Sequence, residues 1–210
     1  MKFRLTAIAL VLLATACSRE GEITAMGVYV TRSACPQVGI PAATGDITLF
    51  NPSDRTDAAA LDVNAVITNL RSTCDETGAN VVSTATFDVV ATRRDAGPAR
   101  TVGLPYFDVA MQAGTQVIAK RIGNVALNFA DGSQRAQTSG QATIQVSRSV
   151  ATLPEDVRRE LTRERKPGDA DASIDPMSDP KIRDAVARAT FEHLIGFQLT
   201  PEQLRYNATR

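Results

Sequence analysis

A mainly β fold, an antiparallel immunoglobulin-like β-sandwich with a short helical C-terminal extension, is predicted by three features of the chain. Apolar and polar residues alternate through much of residues 28–151. Turn-forming residues recur between those runs. Beyond residue 152 the apolar spacing lengthens to that of helices.

The N-terminal residues read as a leader that precedes the fold. Lys2 and Arg4 form a basic start, an apolar run broken only by Thr6 follows, and Ala14-Thr15-Ala16 places small residues just before Cys17. A run of about ten apolar residues is too short to span a bilayer, which takes roughly twenty. The expectation is a signal peptide over residues 1–16, cleavage before Cys17, acylation of that cysteine, and a lipidated tether over residues 17–27. Ala14-x-Ala16 also suits an ordinary secretory peptidase, and a lipobox usually has Leu where Ala14 stands, so a soluble periplasmic product stays open. Of three cysteines, assigning Cys17 to lipid leaves Cys35 and Cys74 as a pair, expected to form a disulfide outside the cytoplasm.

Within the predicted sandwich, Val81, Ala85, Phe87, Val89 and Ala91 fall on one face of a strand and Thr84, Thr86, Asp88 and Thr92 on the other. Similar strands are read at 47–50, 61–70, 104–111 and 116–122, at Val125/Leu127/Phe129 and at Ala142/Ile144/Val146. Asn51-Pro52-Ser53, Glu76-Thr77-Gly78, Asp95-Ala96-Gly97-Pro98, Ala113-Gly114 and Asp131-Gly132 punctuate them, with Gly supplying positive φ and Pro halting ladder pairing. Seven short strands at this spacing suit a sandwich.

Residues 152–210 are read as the helical extension. Val157 and Leu161 stand four apart in a charged stretch ending at Lys166, with Glu155 and Asp156 in its first turn and Arg163, Arg165 and Lys166 in its last, as the helix dipole favours. An acidic linker covers residues 168–179. A second helix is expected to start with Asp179 as cap and Pro180 at its first position, with Ile182, Ala185, Val186 and Ala189 on one face. After Thr190 the apolar face shifts. Residues 191–199 fit either a continuing helix, favoured up to Gly196, or a strand alternating Phe191/His193/Ile195/Phe197/Leu199. Thr200-Pro201-Glu202-Gln203 is a capping box for a terminal helix reaching about Tyr206.

Composition restricts the partners. The leader takes two of the 23 basic residues and none of the 23 acidic ones, leaving a nearly balanced chain with no electrostatic pull toward nucleic acid. Tryptophan is absent and aromatics are few, which disfavours a base-stacking surface. No cofactor motif, repeat or small-molecule substrate site is evident.

Candidate chemistry is sparse, and no catalytic or metal-binding residue is assigned. His193 is the only histidine, and nucleophilic catalysis would also need a partnered nucleophile and an orienting carboxylate; no Gly-x-Ser-x-Gly elbow is present. A packed or surface histidine is the simpler reading. One histidine and two paired cysteines are too few for a usual zinc site. Asp169, Asp171, Ser173 and Asp175 alternate as EF-hand ligands do, but Ile174 replaces the required glycine and Pro180 the closing glutamate, so a solvated linker is favoured. The basic residues of 158–166 interleave with Glu160 and Glu164, favouring a salt-laced solvent face over a membrane contact. Leu104-Pro105-Tyr106-Phe107 could line a partner groove if exposed, although packing is the commoner fate.

The residues Ala14 to Cys17, the strand leading to Cys74, Leu104-Pro105-Tyr106-Phe107, Ala119-Lys120 and the ending Phe191-Glu192-His193-Leu194-Ile195-Gly196-Phe197-Gln198-Leu199-Thr200, followed by Gln203-Leu204-x-Tyr206-Asn207, resemble a group of small, uncharacterised lipoproteins of Gram-negative bacteria. The resemblance carries over no catalytic residue, and the acidic segment 168–179 is outside it. The combined expectation is an outer-membrane lipoprotein facing the periplasm, since Ser18 is not the aspartate that retains lipoproteins at the inner membrane. Its expected use is as a non-enzymatic binding or scaffold module held to the membrane by lipid, with an envelope protein as partner. An envelope hydrolase using His193 and a calcium-dependent element at the linker are the alternatives.

Overall fold

The computed structural model describes residues 22–24, 27–29 and 33–209; Cys17 and the leader lie outside the described residues. The chain divides into two compact units, Met1–Ser33 and Ala34–Arg210. In the first, β1 (Glu22–Thr24) pairs antiparallel with β2 (Gly27–Tyr29). The second unit begins at Ala34.

The larger unit is a sandwich of two four-stranded sheets. One sheet has the order β3 (Gln37–Gly39), β10 (Phe191–Phe197), β7 (Arg100–Gln112) and β8 (Gln116–Phe129). The other runs β4 (Asp46–Phe50), β5 (Leu61–Asp75), β6 (Asn80–Arg93) and β9 (Arg135–Ser147). Every pairing is antiparallel except β3 with β10. The alternation read on β6 is present: Val81, Ala85, Phe87, Val89 and Ala91 are buried, the last four clustered with Leu104, Leu127, Phe129, Ile195 and Phe197 of the facing sheet and Val81 with Ala110 and Phe191. The separate runs at 116–122 and 125–129 form one strand, β8, which bulges near Ile118 where the pairing with β7 shifts.

Two glycines set the spacing of this core. Phe87 stands opposite Gly140 and Tyr106 opposite Gly123. A Cβ on Gly140 would lie 2.3 Å from Phe87 Cζ, and one on Gly123 2.4 Å from Tyr106 Cζ, so each ring lies flat over its glycine. The two rings come from opposite sheets and meet edge to face, centroids 5.2 Å apart. Leu104-Pro105-Tyr106-Phe107 is thus packing sequence: Leu104 and Tyr106 face inward, and the outward Phe107 ring lies beneath the Lys120 ammonium at 5.5 Å.

Cys35 and Cys74 form the expected disulfide, with Cα atoms 6.1 Å apart. It ties the segment entering β3 to the far end of β5, one strand from each sheet.

After α1 (Arg148–Ala151), the chain leaves the sandwich as α2 (Glu155–Thr162), a 3-10 turn (Pro176–Ser178) and α3 (Pro180–Arg188). Val157, Ile182 and Ala185 form the small core of this excursion. Asp179 caps α3, its Oδ1 accepting the Lys181 N–H at 2.8 Å, with Pro180 next in line as read. At the terminus α4 (Pro201–Thr209) carries the expected capping box: Gln203 N donates to Thr200 Oγ1 and Thr200 N donates to Gln203 Oε1. Asn207 Nδ2 then donates to the Ala43 and Asp46 carbonyls, fastening α4 beside β4.

The helix favoured for residues 191–196 is corrected. This segment is β10, inserted between β3 and β7, with all seven of its residues in register with β7. The face shift after Thr190 marks the end of α3. Phe191, His193, Ile195 and Phe197 alternate inward, and burying them together outweighs the weak helical preference of the segment. Residues 152–210 are therefore not a helical extension throughout, because one interior strand of the sandwich comes from them.

Candidate functional site

His193 lies at the centre of a chain of polar side chains that links the two sheets. On β10 its inward parity places it between Phe191 and Ile195, and its side chain is 0% exposed. Asp108 of β7 pairs with Ile195, which sets it diagonally beside His193; its Oδ1 is 3.0 Å from His193 Nε2. Arg121 of β8 stands directly opposite Asp108 and donates from Nη2 to Asp108 Oδ2 at 2.9 Å. From the other sheet, Ser83 of β6 brings its Oγ to 3.0 Å from His193 Nδ1. The chain Arg121–Asp108–His193–Ser83 thus runs from the solvent edge of one sheet to the inner face of the other.

Donors and acceptors close without a remainder. A carboxylate only accepts, so His193 Nε2 carries the proton and donates to Asp108. In a neutral ring Nδ1 is the acceptor, and the Ser83 hydroxyl donates to it. Both ring nitrogens and the hydroxyl hydrogen are used, as burial of polar groups requires.

Serine, histidine and aspartate are the residue types of acyl-transfer triads, and sequence reasoning missed that His193 has such neighbours. Two features distinguish this arrangement. The carboxylate is on Nε2 and the serine on Nδ1, the reverse of the usual assignment. Ser83 is also 1% exposed and Asp108 6%, so a substrate carbonyl has no approach to the hydroxyl. What the geometry does accomplish is mechanical: one imidazole hydrogen-bonds across the gap between the sheets, and Arg121, 62% exposed, caps the outer end. Glu192 takes no part, since its neighbouring position on a strand points to the opposite face.

A buried cation braces the end of the sandwich. Arg93, at the end of β6, donates from Nε to the Ser133 carbonyl at 2.6 Å, from Nη1 to Pro98 at 2.8 Å, and from Nη2 to Gly97 at 2.6 Å and Ala130 at 3.2 Å. Its guanidinium also lies over the Phe129 ring, 5.3 Å from the centroid. It holds together the turns after β6 and after β8. The adjoining hollow, about 350 Å³, has its charges matched, Arg100 Nη2 donating to Asp62 Oδ1 at 2.5 Å.

The acidic linker spends its carboxylates locally. Asp169 accepts from the Lys166 N–H and Asp175 from the Met177 N–H. Asp171 pairs with Arg163, and that hydrogen bond holds its carboxyl below the usual aspartate range, as the Arg163 contact does for Glu160. Among the described residues no group of three His, Cys, Asp or Glu is placed to hold a metal ion. The basic residues in and just after α2 face the helix's acids, Arg158 pairing with Glu155 and Arg163 with Glu160, which is the solvent-face arrangement the sequence suggested.

The remaining feature of note is the edge of the first sheet. β8 is its last strand, and residues 116–122 are exposed on both faces, including Val117, Ile118 and Ile122 at 54%, 49% and 56%. Among the described residues no helix is long and apolar enough to cross a membrane. No family model matches the chain, nor does any curated protein or solved structure.

Proposed function

We propose that this chain is an outer-membrane lipoprotein, acylated at Cys17 and facing the periplasm, that serves as a non-enzymatic binding or scaffold module for an envelope protein. The observation that carries the non-enzymatic reading is the engagement of His193. The group best suited to proton transfer has both nitrogens committed inside the core, where it braces the two sheets. The Cys35–Cys74 pair supports an oxidising compartment and leaves Cys17 as the odd cysteine, available for acylation. A lipid tether raises the local concentration of the sandwich at a membrane surface, so a modest contact suffices for occupancy.

Crosslinking in intact cells, comparing native protein with Cys17→Ser, tests this reading. The expected result is one recurrent envelope protein captured by the native chain and lost, or greatly reduced, when the tether is removed. Equal capture by both forms, or a hydrolytic phenotype abolished by a His193 substitution that leaves the fold intact, would contradict it.

A further inference from the structure

We infer that the exposed first half of β8, residues 116–123, is a strand-addition site for an extended peptide segment that carries carboxylates among β-branched residues. The inference rests on the binding-module reading and names the chemistry of its partner. As the last strand of its sheet, β8 has one edge outside the β7–β8 ladder. Over eight residues that edge is about 26 Å long at the usual strand rise. Its second half alternates as a core strand should, with Val125, Leu127 and Phe129 buried, whereas residues 116–122 are exposed on both faces. Three large β-branched side chains, Val117, Ile118 and Ile122, lie in that run. The bulge near Ile118 and the cations Lys120 and Arg121 are devices that keep an edge from pairing indiscriminately, so an added strand must suit their charge.

Charge selects the occupant. Residues 116–123 include Lys120 and Arg121 and no acid. Arg121 is matched to Asp108, while Lys120 lies over the Phe107 ring, leaving the edge with a positive excess. A second copy paired antiparallel on this strand has no acid to offer the cations in any register, and some registers would set like charges directly opposite. An anionic lipid surface would meet the cations but would leave the outer backbone groups without ladder partners. An extended acidic and apolar segment satisfies both the backbone and the charge.

The test is fluorescence anisotropy with the full-length chain in detergent micelles and a labelled peptide of four Val-Glu repeats. Saturable binding is expected, lost when alternate peptide amides are N-methylated. Lys120→Glu should weaken it at least tenfold and should favour a Val-Lys peptide over Val-Glu. Ile122→Asn supplies an independent loss at an exposed position, and unchanged thermal unfolding of both variants shows that the fold is kept. No saturable binding, equal binding of the N-methylated peptide, or indifference to Lys120→Glu overturns the inference. So does self-association through β8, or binding to phosphatidylglycerol vesicles in place of peptide. Failure here with tether-dependent capture of an envelope protein retained would move the contact to another face and leave the proposed function standing.

Discussion

Replacing His193 by leucine keeps an apolar side chain at the centre of β10 but removes both hydrogen bonds of the imidazole. The cost follows from what is left behind. Asp108 loses the charge-assisted bond at 3.0 Å, a class worth about 1.5–3 kcal/mol. Ser83 loses its acceptor on the inner face of the other sheet, and a stranded buried hydroxyl costs about 1–3 kcal/mol. Allowing for the apolar contacts that leucine gains and for relaxation, the net loss is about 3–5 kcal/mol, a large part of the stability of an ordinary domain. At about 2–4 °C per kcal/mol for a unit of this size, that lowers the melting temperature by roughly 6–20 °C. Urea unfolding of wild type, His193→Leu, Ser83→Ala and the double variant measures both the loss and the Ser83–His193 coupling. The double variant is expected to cost clearly less than the two single changes added together, because each removes the other's stranded partner. A His193→Leu protein within about 0.5 kcal/mol of wild type, or strict additivity with Ser83→Ala, would refute the bracing argument. Exposed Arg121 is a useful contrast: solvent screens it, and Arg121→Ala should cost no more than about 1 kcal/mol.

The packing and the linker give three further expectations. Gly140→Ala forces a methyl to within 2.3 Å of the Phe87 ring and should destabilise by about 1–3 kcal/mol in the same urea assay. Removing the disulfide with Cys35→Ser and Cys74→Ser opens a covalent loop spanning 39 positions and should cost about 4 kcal/mol; an unchanged urea midpoint would contradict it. Because the Arg163 bond lowers the folded Asp171 value, its contribution is present above the unfolded range near about 3.9 and is lost as pH falls through the lower folded value. Hydrogen exchange in residues 168–175 should therefore lose protection only in strong acid, and Arg163→Gln should move that loss to higher pH.

Local pattern carried the sandwich because each strand writes its inward face at every second residue. Val81, Ala85, Phe87, Val89 and Ala91 name one wall of the core without knowledge of the other. Capping chemistry is equally local, and Asp179 with Pro180, like Thr200 with Gln203, is found where it was read. What stayed hidden depends on contacts far along the chain. His193 meets Asp108 across 85 positions and Ser83 across 110, and only the placing of β10 beside β7 brings them together. The trace in the sequence is slight: Ser83 keeps the inward parity of Val81 and Ala85, and Asp108 that of Tyr106 and Ala110. Phe191 to Phe197 was ambiguous because a short apolar run satisfies either period, and burial in the sheet decided it. Gly140 and Gly123 could not be read as platforms for rings until register set Phe87 and Tyr106 opposite them.

On the proposed function, lipid on Cys17 holds a folded, histidine-braced sandwich at the periplasmic face of the outer membrane. Metabolic labelling with alkyne-palmitate, followed by membrane fractionation of native and Cys17→Ser protein, addresses it most directly. Label is expected on the native mature chain in the outer-membrane fraction and on none of the Cys17→Ser protein. An unlabelled native chain recovered in the soluble periplasm would contradict it.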